Sequence, residues 1–240
     1  QIWFCGGRIG VRLAKHGGIS AITYYGQQPL DRPHFFHGDG VSAWVKIFRL
    51  CLVVDGTVYY PNFSRTELHP FGYRSQGSAG GVTFRHDLVL LNDSLVQRVA
   101  VMRNPRRATL ALRLIWHGHP AWVSTAHRTW SPFTIDSDVA VAVAREDIPP
   151  EVYQQWSKAK SATLTQCDSF GVHDIECAET HIAVAADRGV TFQNLNRNFK
   201  FHADTARFTD RAAFMVTFAW NRTELDARVT NLRRDLHRQC

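Results

Sequence analysis

Along most of the chain, apolar residues recur at every second position, the period of a half-buried β-strand. The clearest case is 109–117, where Leu110, Leu112, Leu114 and Trp116 alternate strictly with Thr109, Ala111, Arg113 and Ile115. The same period predicts strands over 8–14, 19–25, 43–54, 57–60, 82–91, 95–102, 138–144, 162–166, 172–178, 181–186, 198–208 and 212–220. Turn chemistry separates them. Lys15-His16-Gly17-Gly18 joins the first two, Asp55-Gly56 and Asn92-Asp93 are two-residue hairpin signals, and the RNPRR run at 103–107 reverses the chain again. Three stretches rich in Gly, Pro and polar residues, 27–40, 66–81 and 117–133, read as long loops, a length often tied to function.

About a dozen strands at hairpin spacing, with no alternation of strand and helix, predict an all-β fold: a large two-sheet antiparallel sandwich formed by residues 1–220 as one domain. IPPEVYQQW at 148–156 is a short mid-chain helix candidate, with its prolines and Glu151 suited to a first turn. After 220 the period changes. Leu225, Val229, Leu232 and Leu236 form one apolar stripe of a helix over 221–240. Asn221 or Thr223 can cap it, with Asp226 completing a capping-box-like arrangement after Thr223. Arg233, Arg234 and His237 suit its C-terminal dipole. Such a helix either folds back on its own sandwich or links it to a following domain.

The 240 residues suffice for a sizeable core, and 45% hydrophobic with 20% charged residues is ordinary for a globular protein. No apolar run reaches the length of a membrane-spanning helix, and the first residues lack the pattern of a signal peptide, so a cytoplasmic protein without membrane partners is expected. The net charge of +7 comes from arginines spread along the chain, not from a basic cluster interleaved with aromatics, which argues against nucleic acid. Cysteines stand at 5, 51, 167, 177 and 240 with no CxxC pair, and read as free thiols in a reducing compartment. Cys167, His173 and Cys177 are a zinc alternative, but their spacing matches no structural zinc pattern.

Phosphate loops, dinucleotide fingerprints, nucleophile elbows and HExxH motifs are absent, and no cofactor or metal is expected. His117, His119 and His127 lie close in sequence, but no acidic residue between 94 and 135 completes a metal site there. Indole faces stack on sugar rings, so Trp116, Trp122 and Trp130 with His117 and His119 are the candidate carbohydrate contacts. The commoner role of tryptophan, as a core or loop anchor, stands beside that reading. The carboxylates, among them Asp39, Asp55, Glu67, Asp87, Asp93, Asp136, Asp138, Glu146 and Asp147, are scattered, and none is marked as half of an acid–base pair for glycoside hydrolysis.

The run FRHDLVLLNDSLVQRVAVMRNPRRATLALRLIW at 84–116 is similar to the N-terminal β-sandwich of carbohydrate-active enzymes whose catalytic domain is an (α/α)6 barrel. These include glycogen-debranching, glucoamylase-like and trehalase-like hydrolases and disaccharide phosphorylases. Arg85, Asn92-Asp93, Arg98 and Asn104-Pro105 stand at the matching places, and GRIGVRLAKHGGISAITYYG at 7–26 resembles their first hairpin. The resemblance implies a supersandwich of galactose-mutarotase-like architecture, a linker helix at 221–240, and a separate catalytic domain that carries the acids. It makes the chain a non-catalytic module of a glycoside hydrolase acting on α-glucan or small glucosides, with carbohydrate and its own catalytic domain as partners. The alternative is a stand-alone sugar-binding or aldose-epimerase-like protein, which needs a histidine acid and a carboxylate base on one concave sheet; His86, His117 and Glu176 are available for it.

Overall fold

A computed structural model describes residues 3–6, 9–13, 18–24, 34–37, 48–116, 119–120, 128–131, 133–146, 178–193 and 201–238. In chain order the strands are β1 (Trp3–Gly6), β2 (Ile9–Leu13), β3 (Ile19–Tyr24), β4 (His34–His37), β5 (Phe48–Val54), β6 (Thr57–Tyr59), β7 (Asn62–His69), β8 (Gly72–Ala79), β9 (Val82–Leu91) and β10 (Ser94–Arg103). They continue as β11 (Leu110–Trp116), β12 (His119–Pro120), β13 (Arg128–Trp130), β14 (Thr134–Asp136), β15 (Val139–Glu146), β16 (Ala178–Ala186), β17 (Val190–Gln193), β18 (Phe201–Thr205) and β19 (Arg211–Ala219). One helix, α1 (Arg222–Arg238), follows β19.

The strands form the two antiparallel sheets expected. Sheet A runs β1-β2-β3-β5-β11-β18-β17, with β4, β6 and β12 attached at its side, and sheet B runs β13-β15-β16-β19-β10-β9-β8-β7, with β14 on β15. Their facing sides share one core, to which sheet A contributes Ile22, Leu52, Leu112 and Trp116 and sheet B contributes Phe84, Leu88, Leu95 and Phe214. The two-residue turns behave as their residues dictate. Asp55 and Gly56 have φ of 49° and 82°, and Asn92 and Asp93 have φ of 45° and 58°, the left-handed pair that a tight hairpin requires. At the RNPRR turn the Asn104 side chain both accepts from the Ala108 N–H and donates to the Ala108 carbonyl, locking the reversal.

All three expected loops contain strands. Residues 66–81 belong mostly to β7 and β8, joined by a turn at Pro70-Phe71. Their alternation hides behind small residues: on β8 the inward row is Tyr73, Ser75, Gly77 and Ala79. A Cβ on Gly77 would come 2.8 Å from the Phe84 ring, so the position needs a residue without one. Residues 34–37 within 27–40 form β4, and 117–133 contains β12 and β13. β1, β14 and β17 have no counterpart among the expected strands. The helix candidate at 148–156, the strand at 162–166, all but the last residue of the strand at 172–178 and the Cys167, His173, Cys177 set lie outside the described residues.

The terminal helix settles on its own sandwich. Leu225, Val229 and Leu232 bury against Val96, Val141, Ala183, Ala185, Ala213 and Met215 on the outer face of sheet B, with Leu236 partly buried beside them. The stripe that the linker reading aims at a following domain is thus covered by sheet B, because the central strands there carry apolar residues on both faces. Asn221 is the cap, its Oδ1 accepting from the Glu224 N–H at 2.8 Å. Glu224, not Asp226, reaches back, accepting from the Trp220 N–H at 3.2 Å. Asp226 pairs with Arg222 instead.

Candidate functional site

A cavity of about 260 Å³ lies between the sheets beside β5, β9, β10 and β11. Its entrance follows from strand pairing. The β3–β5 ladder meets β5 only at Phe48, and the β5–β6 ladder begins at Leu52. Among the described residues, sheet A therefore has no strand paired to this edge of Arg49–Cys51, between Gly18 on one side and Tyr60 and Pro61 on the other. At the rim the Arg49 guanidinium lies over the Tyr60 ring, 5.5 Å from its centroid. Deeper, the walls are Leu52, Phe63, Phe84, Val99 and Leu112, and His86 belongs to the floor.

His86 occupies an inward position between Phe84 and Leu88 and is 1% exposed. Its Nε2–H donates to Gln97 Oε1 at 3.1 Å, and Nδ1 faces the Tyr73 hydroxyl at 3.4 Å. Phe63 stacks on the imidazole at 5.5 Å between centroids, and Tyr73 meets it edge-on at 5.4 Å. Burial pushes His86 down to about 4, against the opposing pull of Gln97 and Asp87, so the ring is neutral at neutral pH. Burial likewise raises the Tyr73 hydroxyl. The floor is polar but uncharged. Among the described residues no carboxylate lines the cavity, and none stands opposite His86 as the base an epimerase needs. His117 and Glu176 lie outside the described residues.

Asp87 follows His86 and so points to the other side of sheet B. There Arg74, Arg85 and Arg98 converge on it at 2.7, 3.2 and 3.1 Å. Its burial favours the neutral acid, but the bonds from Arg74 and Arg98 and the charge of Arg85 outweigh that and hold its carboxyl below the usual range. Farther across this face, Arg228 of α1 donates to Asp93 Oδ2 at 2.8 Å and to the Phe218 carbonyl at 3.0 Å, and pairs with Glu224. Arg233 pairs with Asp138 at 3.0 Å, and Arg222 pairs with Asp136. These carboxylates anchor the helix and sheet; they do not face each other across a cleft.

Of the expected carbohydrate contacts, Trp116, His119 and Trp130 fall within the described residues. Trp116 is fully buried, stacked on Phe201 at 5.9 Å and edge-on to Phe133 at 5.5 Å, so its faces are spent on the core. His119 stands opposite His37 in the β4–β12 pair of sheet A, and Trp130 opposite Ala144 in the β13–β15 pair of sheet B. His117 and Trp122 are outside the described residues. Arg49, Tyr60 and Phe63 were not singled out by sequence. The one available signal is Arg49 as the only charge in the apolar run FRLCLVV at 48–54. Among the described residues no group of His, Cys, Asp and Glu could hold a metal ion, and no helix is long and apolar enough to cross a membrane.

The fold is thus a two-sheet antiparallel β-sandwich with a helix docked on one outer face. No protein-family model and no curated protein sequence matches the chain. Among solved structures it is similar to a glycosyl hydrolase of family GH92, at a TM-score of 0.39 and 10% identity over 89% of this chain. It is also similar to the family GH92 inverting mannosidase from Bacteroides thetaiotaomicron, at a TM-score of 0.34 and 10% identity over 80% of this chain. The chain spans 29% and 24% of the lengths of those two proteins.

Proposed function

We propose that this chain is a non-catalytic β-sandwich module of a carbohydrate-active enzyme, in which α1 leads to an (α/α)6 catalytic domain acting on α-glucan or small glucosides. The observation that carries the reading is the work done by the residues of the sequence resemblance. Arg85 and Arg98 hold the buried Asp87, Asp93 receives Arg228 of α1, and Asn104 closes its own turn. All are framework contacts, and none enters the cavity. They fit a module that presents a rigid sheet and a fixed helix to a neighbour, with the catalytic acids elsewhere. Within this reading His117, His119, Trp122 and Trp130 remain the proposed carbohydrate contacts, and Trp116 leaves the set.

The coding sequence is expected to continue past Cys240 into a helical segment of hairpin repeats; a stop codon directly after it would sink the proposal. The isolated chain is expected to release no sugar from maltose, trehalose or aryl glucosides, and to leave glucose mutarotation at its background rate by polarimetry. Turnover in either assay overturns the non-catalytic assignment. Tryptophan fluorescence titrated with maltooligosaccharides tests the sugar contacts, and an unchanged spectrum at millimolar sugar removes them.

A further inference from the structure

The cavity between the sheets has a composition that neither the framework contacts nor a catalytic role accounts for. Its walls are apolar and aromatic, its floor carries the uncharged His86, and its rim carries a cation. Arg49 has no carboxylate partner among the described residues; its recorded neighbour is the Tyr60 ring. Several other arginines of the sandwich are paired: Arg74, Arg85 and Arg98 with Asp87, Arg113 with Asp204, Arg188 with Asp187, and Arg228 with Asp93. The exposed Arg103, Arg106, Arg107 and Arg207 have no ion pair among the described residues, but unlike the half-buried Arg49 none of them lines the cavity. An arginine at the mouth of an apolar chamber, with no acid beside it among the described residues, attracts an anion whose body is apolar. A sugar suits the chamber poorly. Its hydroxyls would meet Leu52, Phe63, Phe84, Val99 and Leu112, and both ring nitrogens of His86 already face protein partners.

We propose that this cavity is a binding site for a small monocarboxylate with an apolar body, the carboxylate held at the rim by Arg49 and the body seated among Phe63, Phe84 and Leu112. The volume limits the ligand. At about 30 Å³ for each water-sized group, 260 Å³ admits roughly nine non-hydrogen atoms, the size of an aromatic or short-chain acid. Asn62 at the same rim can donate its side-chain amide to the second carboxylate oxygen. Among the described residues, the gap in sheet A between β3 and β6 is the entry route. The site is independent of the module reading above and stands or falls separately from it.

Isothermal titration of the full chain with benzoate, benzyl alcohol and glucose tests the proposal. Benzoate is expected to bind more tightly than benzyl alcohol by roughly tenfold or more, the usual worth of a bond to a charged group. Glucose is expected not to bind. Arg49→Gln should bring benzoate down to the level of the alcohol while leaving the alcohol unchanged, and Arg49→Lys should restore part of the difference. Leu112→Phe, which fills the chamber, should weaken both; should it fail to fold, Val99→Ile fills the opposite wall. Absence of benzoate binding, equal binding of acid and alcohol, or benzoate binding insensitive to Arg49→Gln overturns the proposal.

Discussion

At the scale of single residues, sheet B divides two neighbours between two environments. His86 faces the core and is kept neutral by burial, while Asp87 faces outward and is kept charged by three guanidiniums. The two give distinct acid responses. The folded state holds His86 at about 4 against an ordinary 6.5, so the unfolded chain binds the extra proton as pH falls between those values. Stability therefore declines across that window by on the order of 3 kcal/mol from this group. His86→Met should remove that part of the slope in urea melts collected from pH 7 to pH 4. Asp87 acts lower: its depressed carboxyl contributes above its ordinary 3.8, and that contribution is lost as pH falls below it. Asp87→Asn leaves three arginines around a neutral amide and should cost about 1–3 kcal/mol by urea denaturation, because the arginines are partly exposed and can rehydrate. Arg74→Met alone, at the most exposed of the three, should cost under about 1 kcal/mol.

At the scale of elements, legibility in the sequence followed burial. β9, β10 and β11 declare themselves because one face of each is mostly apolar, broken only by His86 on β9 and Gln97 on β10, and their turns carry Asn-Asp or Asn-Pro. β7 and β8 do not, since the edge strand is mostly exposed and the next buries Ser75 and Gly77 where larger apolar residues would mark a strand. The apolar stripe of α1 was plain, but no pattern in a helix names what it packs on. Only the second apolar row of β10, β15, β16 and β19, visible as Val96, Val141, Ala183 and Met215, could have placed it. The cavity was illegible for a related reason: Arg49, Phe63 and His86 meet across three strands, and alternation records faces, not gaps between strands. Two substitutions test this level. Gly72→Ala puts a Cβ 1.9 Å from the Leu88 carbonyl oxygen of β9, a backbone clash that should disrupt the β8–β9 pairing around Gly72 and Val89, read as loss of amide protection there. Leu225→Ala, at a fully buried helix position, should cost about 2–5 kcal/mol, seen first as faster hydrogen exchange throughout α1.

At the scale of the whole molecule, the sandwich and its helix form one body with two stacked cores, one between the sheets and one beneath α1. A chain ending at Trp220 keeps every strand but uncovers Val96, Val141, Ala183 and Met215 on one face. It should bind hydrophobic dye and self-associate in light scattering, while the chain with α1 does neither. If the truncated chain stays monodisperse and dye-free, the helix is dispensable to the sandwich.

The ion pair between Arg228 and Asp93 joins positions 135 residues apart. During synthesis at roughly 5–20 residues per second, the β9–β10 hairpin waits on the order of ten seconds for the strand and helix that complete it. Through that interval β10 offers an unsatisfied edge and an apolar flank, the surfaces on which nascent chains aggregate. Soluble yield is therefore set by elongation rate, temperature and chaperone supply before the stability of the finished fold has any say.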